Sequence, residues 1–424
     1  MAKVKKIYDT IHGFIPINEN IQKIIDTPEF QRLRDLKQLG ATNYVFPSAN
    51  HTRFEHSIAV SHLGKKMIEN IKKNQPYLSI SKRDIELIEI AGLIHDIGHG
   101  PFSHLWDHYV ILKGEKEHEE RGCDIFKNMI EKYNLDISDE EFEIICELIN
   151  PSKENVNKWY YQIIANKQCQ LDVDKIDYIQ RDSFYIGEIG QNNNFKRLIT
   201  DVRAAVTNKT EVFDGQEEIR QLTWCHKLNY EIFSLFTTRY RLHKSVYTHH
   251  AVKSHEYIII DILNNLHDLL LKGKVDFIDL TDSVVFCKLC AVKSTSTKRL
   301  LSRDIPTFIG ETIIPKKYEN KKFLEETYPK RIANIIIDKI QIKFSSGNYN
   351  PMNEIFYYNS KNSGTLGAFF GEKIKPTWCN VEFNETILRC YDNAGKKTTE
   401  ESKYISTIDV MTFWDNYLKE LGLK

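Results

Sequence analysis

The sequence predicts a mainly α-helical protein with a smaller C-terminal α/β lobe, divided as residues 1–265 and 266–424. Three observations predict it. Through the first part, apolar residues recur at helical spacing behind helix-start signals. Beyond it, FIGETIIP, IANIIIDKIQIKF and NEIFYYNS are rich in β-branched and aromatic residues and read as strands. Asn- and Gly-containing turns, SSGNYNP and SKNSG, punctuate these strands. No internal repeat or long low-complexity linker occurs, so two loosely tethered domains are not expected.

Taken in order, Ser81 followed by Asp84 marks a helix start, and Ile85, Leu87, Ile88, Ala91 and Ile94 give an apolar face leading to His95. Gly98, Gly100 and Pro101 end that helix and put His99 and His104 at a turn beside His95-Asp96. A second helix carries Asp174, Tyr178 and Asp182 at four-residue steps, which places them on one stripe. A third does the same with Arg239, His243 and Tyr247. A single charged stripe is usually surface decoration, but two, one of them holding a candidate metal ligand, favour a shared pocket. VVFCKLCAV fits a helix or a strand.

Composition narrows the classes. Lys+Arg and Asp+Glu both number 58, so the formal net charge is zero, against a protein that chiefly coats nucleic acid. Nucleic-acid binding is a secondary expectation. The start, MAKVKKIYDTIHG, lacks the apolar run of a signal peptide, and no stretch reaches membrane-span length. An intracellular protein of the cytoplasm or nucleus is expected, with its eight scattered cysteines reduced. Cys287 and Cys290 form a CxxC without a second pair at zinc-ribbon spacing, which favours packing over redox or metal chemistry.

The decisive pattern is His56, then His95-Asp96, then Asp174, each inside a distinctive segment: HTRFEHS, AGLIHDIGHGPFSH and LDVDKIDYIQRD. Two imidazoles and two carboxylates can close on one divalent cation, and the set suits iron, manganese, zinc or nickel. These segments, with DTPEFQRLRDLKQLGATNYVFPSANHTRFEHS and TTRYRLHKSVYTHH, resemble the catalytic core of the SAM-and-HD-domain deoxynucleoside triphosphate triphosphohydrolase family. The resemblance runs over nearly the whole chain. It implies an HD-domain helical core, a core-only version without the SAM domain, and hydrolysis of a dNTP to deoxynucleoside and inorganic triphosphate, with magnesium on the nucleotide phosphates.

By the same resemblance, His56, His95, Asp96 and Asp174 are the metal ligands, His104 is the general acid with Asp107 and His118 supporting it, and His99 faces the α-phosphate. Arg53, Lys175 and Arg239 match phosphate-binding positions, Gln38 and Asp182 contacts to the 3′-hydroxyl, and Tyr178 and Tyr247 residues that crowd the 2′ side of the sugar; His243 shares the Tyr247 stripe. Lys5, Asp26, Gln31 and Arg34 match a guanine-nucleotide activator site, which implies activation by GTP or dGTP and a homotetramer built as a dimer of dimers. Arg197 matches a basic residue near the activators. Tyr8 and His250 stand where vertebrate members have asparagine and lysine, and the chain ends after WDNYLKELGLK without the family's regulatory tail, which weighs against a second dNTP activator site. Two alternatives are an HD-type phosphodiesterase or nuclease, disfavoured by the sugar-side tyrosines and zero net charge, and a catalytically silent nucleotide sensor, disfavoured because no ligand or acid is missing.

Overall fold

The computed structural model describes residues 5–111, 114, 116–187, 195–207, 219–270, 276–292, 294–318, 329–345, 349–359, 371–373, 384–395 and 400–424. In chain order its regular elements are β1 (Lys5–Asp9), β2 (Gly13–Ile17), α1 (Glu19–Ile25), α2 (Pro28–Gln31), α3 (Arg53–Asn74), α4 (Lys82–Ile94), α5 (His104–Ile111), α6 (His118–Tyr133), α7 (Asp139–Ile149), α8 (Val173–Ile186) and α9 (Lys196–Thr200). There follow β3 (Val202–Val206), β4 (Arg220–Cys225), α10 (Asn229–Leu242), α11 (His250–Leu270), α12 (Asp282–Val292), α13 (Thr295–Leu301), β5 (Thr307–Ile313), β6 (Lys330–Ile332), β7 (Ile335–Lys343), β8 (Phe356–Tyr358), β9 (Glu372–Lys373), β10 (Asn384–Asp392) and α14 (Glu400–Glu420). The mainly helical expectation holds, and VVFCKLCAV lies in the helix α12.

Two compact units share the chain, one formed by residues 1–40, 48–239 and 345–381, the other by 41–47, 240–344 and 382–424. The boundary expected at 265/266 falls inside α11, within the second unit. NEIFYYNS supplies β8, which pairs in parallel with β4 of the first unit rather than with the C-terminal strands. Pairing over such separation leaves no local signal.

The first unit is organised around α3, buried along Phe54, Ile58, Ala59, Val60, Leu63, Met67, Ile68 and Ile71. Its neighbour α4 begins as expected: the Ser81 hydroxyl accepts from the Asp84 N–H at 3.0 Å, and the Asp84 carboxylate accepts from the Ser81 N–H at 2.7 Å. A Cβ on Gly92 would lie 2.9 Å from Ser61 Cα, so only glycine lets these backbones approach this closely. His95 follows three residues later, and helix packing thereby sets its distance from His56. Gly92→Ala is expected to cost about 1–3 kcal/mol by overpacking and to shift His95; thermal denaturation together with metal content checks both effects.

In the second unit the strands run β5-β10-β7-β6 in one antiparallel sheet, whose inner strands β10 and β7 are packed on both faces. Alternation along β7 and β10 sends Ile337, Leu388 and Cys390 towards Val410, Trp414 and Leu418 of α14, while Ile336 and Tyr391 meet Tyr257 of α11.

Candidate metal centre

Helix α3 supplies His56, the C-terminal end of α4 supplies His95 and Asp96, and the first turn of α8 supplies Asp174. His56 Nε2 lies 3.0 Å from Asp174 Oδ1 and 3.3 Å from His95 Nε2. His95 Nε2 is 3.5 Å from Asp174 Oδ1 and 3.5 Å from Asp96 Oδ1, while Asp96 Oδ2 is 3.7 Å from His56 Nε2. His56 donates from Nδ1 to Asp177 Oδ2 at 2.7 Å, and His95 from Nδ1 to the Gly92 carbonyl at 2.8 Å. These bonds commit both Nδ1 atoms as donors and turn both Nε2 atoms toward the carboxylates, where a divalent cation would take the place of any Nε2 proton. The donor set fits the ion.

A second cluster continues from Asp96. Its Oδ1 is 3.3 Å from His99 Nε2, and Asp107 Oδ2 lies 3.0 Å from both His99 Nδ1 and His118 Nδ1. The His99 and His118 rings stack at 3.9 Å, and His104 meets His99 edge to face at 5.2 Å. Arg121 Nη2 holds Asp107 Oδ1 at 2.5 Å. Gly98 makes this closeness attainable, since a Cβ there would come within 2.0 Å of the His118 carbonyl oxygen.

Residues 53–182 match the family described as HD domain, a span that begins at Arg53, ends at Asp182 and holds all four metal-set residues. The chain is 34% identical over 418 residues to the deoxynucleoside triphosphate triphosphohydrolase SAMHD1 homolog of Dictyostelium discoideum, covering 93% of this chain and 78% of that protein. The chain belongs to the SAMHD1 family. Human SAMHD1 is 30% identical over 464 residues, covering 95% of this chain and 72% of that one. A putative HD domain-containing protein of Acanthamoeba polyphaga mimivirus is 32% identical over 400 residues, covering 82% and 84%.

In this SAMHD1-family chain, Arg53 is tied to Asp96. It is buried, with Nη1 on Asp96 Oδ2 at 2.5 Å and Nε donating to the Ser103 hydroxyl at 2.9 Å, while Nη2 has no hydrogen-bond partner among the described residues. Ser103 in turn donates to the Lys37 carbonyl at 2.6 Å. Phe102 and Ser103 adopt left-handed backbone, with φ of 60° and 56°, immediately before His104 opens α5. Such strain concentrates where a side chain must be aimed.

Burial would depress the His56 imidazole, but Asp174, Asp177 and Asp96 outweigh it and raise the pKa to about 10. A cation taken up through Nε2 would therefore displace a proton. Burial works against ionised Asp96, yet Arg53, then His95 and His99, hold it well below the usual carboxylate range. Burial likewise opposes ionised Asp107, which His118 and His99 hold low. The packed surroundings, then the charges of His99, Arg53 and His118, push His104 to about 3. Because His104 is exposed, solvent relieves the burial part, and the standing positive charge of Arg53 still favours the neutral ring.

The support expected for His104 differs in detail: Asp107 backs His99 and His118, and among the described residues it makes no hydrogen bond to His104. Gln38 and Asp182 are joined through His51, whose carbonyl accepts from the Gln38 N–H at 3.0 Å and whose Nε2 meets Asp182 Oδ1 at 2.7 Å. Arg239 Nε donates to the Tyr178 hydroxyl at 3.0 Å, and Lys175 is buried 3.8 Å from Asp172 Oδ1. The Arg239, His243, Tyr247 stripe is not one regular helix. The backbone passes into a π turn over His243–Tyr247, with the Thr248 N–H bonded to the His243 carbonyl at 3.0 Å, and the His243 and Tyr247 rings meet edge to face at 5.0 Å in the second unit.

Near the N-terminus, Arg34 donates to the Gln31 side chain at 2.8 Å and lies over the Phe54 ring at 3.5 Å. Asp26 is exposed and accepts from Gln22 at 2.5 Å, while Lys5 is exposed on β1. Sequence reasoning passed over Asp177, Arg121 and His51. Asp177 and His51 sit inside the very segments that carry the motif, and a buried charge among apolar neighbours was the available signal. No helix among the described residues is long and apolar enough to cross a membrane.

Proposed function

We propose that this chain hydrolyses deoxynucleoside triphosphates to deoxynucleoside and inorganic triphosphate with the help of a divalent cation. The convergence of His56, His95 and Asp174 on one point, bridged by Asp96 to the imidazole cluster, carries the reading. A cation bound there would lower the pKa of water and offset phosphate charge. Arg53, Lys175 and Arg239 bind the triphosphate; Arg53 keeps one buried guanidinium nitrogen without a partner, suited to a phosphate oxygen. His99 contacts the α-phosphate. His104 gives its proton to the departing 5′-oxygen, and the anionic triphosphate beside it counters the cations that otherwise keep it neutral. Asp107 orients His99 and His118.

Gln38 and Asp182 receive the 3′-hydroxyl, supported by the unpartnered buried Gln38 Oε1. Tyr178 and Tyr247 exclude a 2′-hydroxyl, with His243 beside Tyr247. Tyr247→Ala is expected to raise use of GTP relative to dGTP by about tenfold, the scale of a small steric discrimination; an unchanged ratio removes Tyr247 from sugar selection. Incubating the protein with each dNTP and NTP, with and without GTP, and separating nucleoside from triphosphate tests the reaction. Release of nucleoside monophosphate and pyrophosphate instead would refute it.

Lys5, Asp26, Gln31 and Arg34 form the proposed guanine-nucleotide activator site, with a homotetramer as the active state. Binding between subunits favours assembly by mass action. Arg34→Ala should leave metal content intact and weaken GTP-dependent tetramer formation in light scattering. A wild-type protein fully active and tetrameric without GTP or dGTP would refute activation while leaving the hydrolase reading standing.

A further inference from the structure

His56 is linked through Asp177 to His12, a residue far outside the motif. Asp177 is fully buried and receives donors on both oxygens: His56 Nδ1 at 2.7 Å and Arg181 Nε at 2.9 Å on Oδ2, His12 Nε2 at 2.6 Å and Arg181 Nη2 at 3.1 Å on Oδ1. Arg181 Nη2 is shared, because it also pairs with Asp9 Oδ2 at 2.9 Å. The firm donor on Asp177 Oδ1 is therefore His12. That histidine sits in the turn between β1 and β2, where Asp9 Oδ1 accepts the N–H groups of Ile11 and His12 at 2.8 Å each. The turn is thus bonded to α8 twice, through Asp9 to Arg181 and through His12 to Asp177.

We infer that His12 is a positioning residue for the metal ligand His56, acting through Asp177. The inference rests on the reading of His56 as a ligand. The chemistry is that of an outer-shell carboxylate: held from both oxygens, Asp177 keeps the His56 ring oriented with its Nε2 lone pair toward Asp174 and His95. Without His12, Oδ1 retains, among the described residues, only the divided Arg181 nitrogen, and the carboxylate can swing away from His56 Nδ1. Outer-shell losses of this kind weaken metal affinity by about 10–100-fold.

The test titrates Mn2+ calorimetrically into the chelator-stripped wild-type protein and into His12→Phe, His12→Gln and His95→Ala, with thermal denaturation of each. Phenylalanine keeps the ring and removes the donor; glutamine restores an N–H at similar reach. The expected result is about 10–100-fold weaker Mn2+ binding in His12→Phe, near-wild-type binding in His12→Gln, and similar melting temperatures. Wild-type affinity in His12→Phe overturns the inference, as does equal weakening in both variants. An unfolded His12→Phe beside a folded, normally binding His12→Gln overturns it too, since the contribution is then to the fold. If His95→Ala binds Mn2+ like the wild type, the ligand reading itself fails, whatever His12 does.

Discussion

Replacing His95 by alanine is expected to lower turnover by about three orders of magnitude or more and to strip the divalent cation, because a lost ligand opens the coordination shell and forfeits several kcal/mol of charge stabilisation. Elemental analysis and the dNTP assay check it together, and full activity with normal metal content would falsify the ligand assignment. Asp96→Ala should abolish activity as well, but less cleanly. Its partner Arg53 would be left as a buried, unpaired guanidinium, at a cost of about 3–5 kcal/mol in stability. The same centre has a pH signature. The folded pKa of His56 is raised to about 10, so its proton-linked stabilisation is complete below the unfolded value and is lost as pH rises through 10. Metal binding has the opposite dependence: apparent affinity should rise with pH across neutrality, since a proton leaves as the cation enters.

His104→Ala should reduce kcat by about 10²–10⁴ with little change in KM, the scale of losing one positioned acid. The leaving group is a 5′-alkoxide, which departs poorly without a proton, whereas the triphosphate contacts proposed for Arg53, Lys175 and Arg239 would be untouched by the change. His104 is exposed and, among the described residues, makes ring contacts rather than hydrogen bonds, so its removal should barely alter the melting temperature. A fall in metal content, or a rise in KM with kcat unchanged, would reassign His104 to binding. Steady-state kinetics on dGTP with parallel metal analysis separates these outcomes.

The mainly helical class, the helix ending at His95 and the Asp174-Tyr178-Asp182 stripe were legible in the residues alone, and the four candidate metal residues were nominated there, because each is encoded locally or in a distinctive segment. Capping at Ser81 and the apolar face of α4 act within a few residues and need no tertiary context. The strand β8 entered the sheet of the first unit through a parallel pairing with β4, more than a hundred residues away, which period-2 patterning cannot specify. The regular third helix gave way to a π turn, where backbone bonding shifts from i+4 to i+5 without a marker in residue type. Asp177, His51, Arg121 and His12 became visible only when the chain brought buried charges into contact. Candidate motif residues can be recognised by type and order; the groups that orient them can come from any element that packs nearby, so their identity follows from how the chain folds.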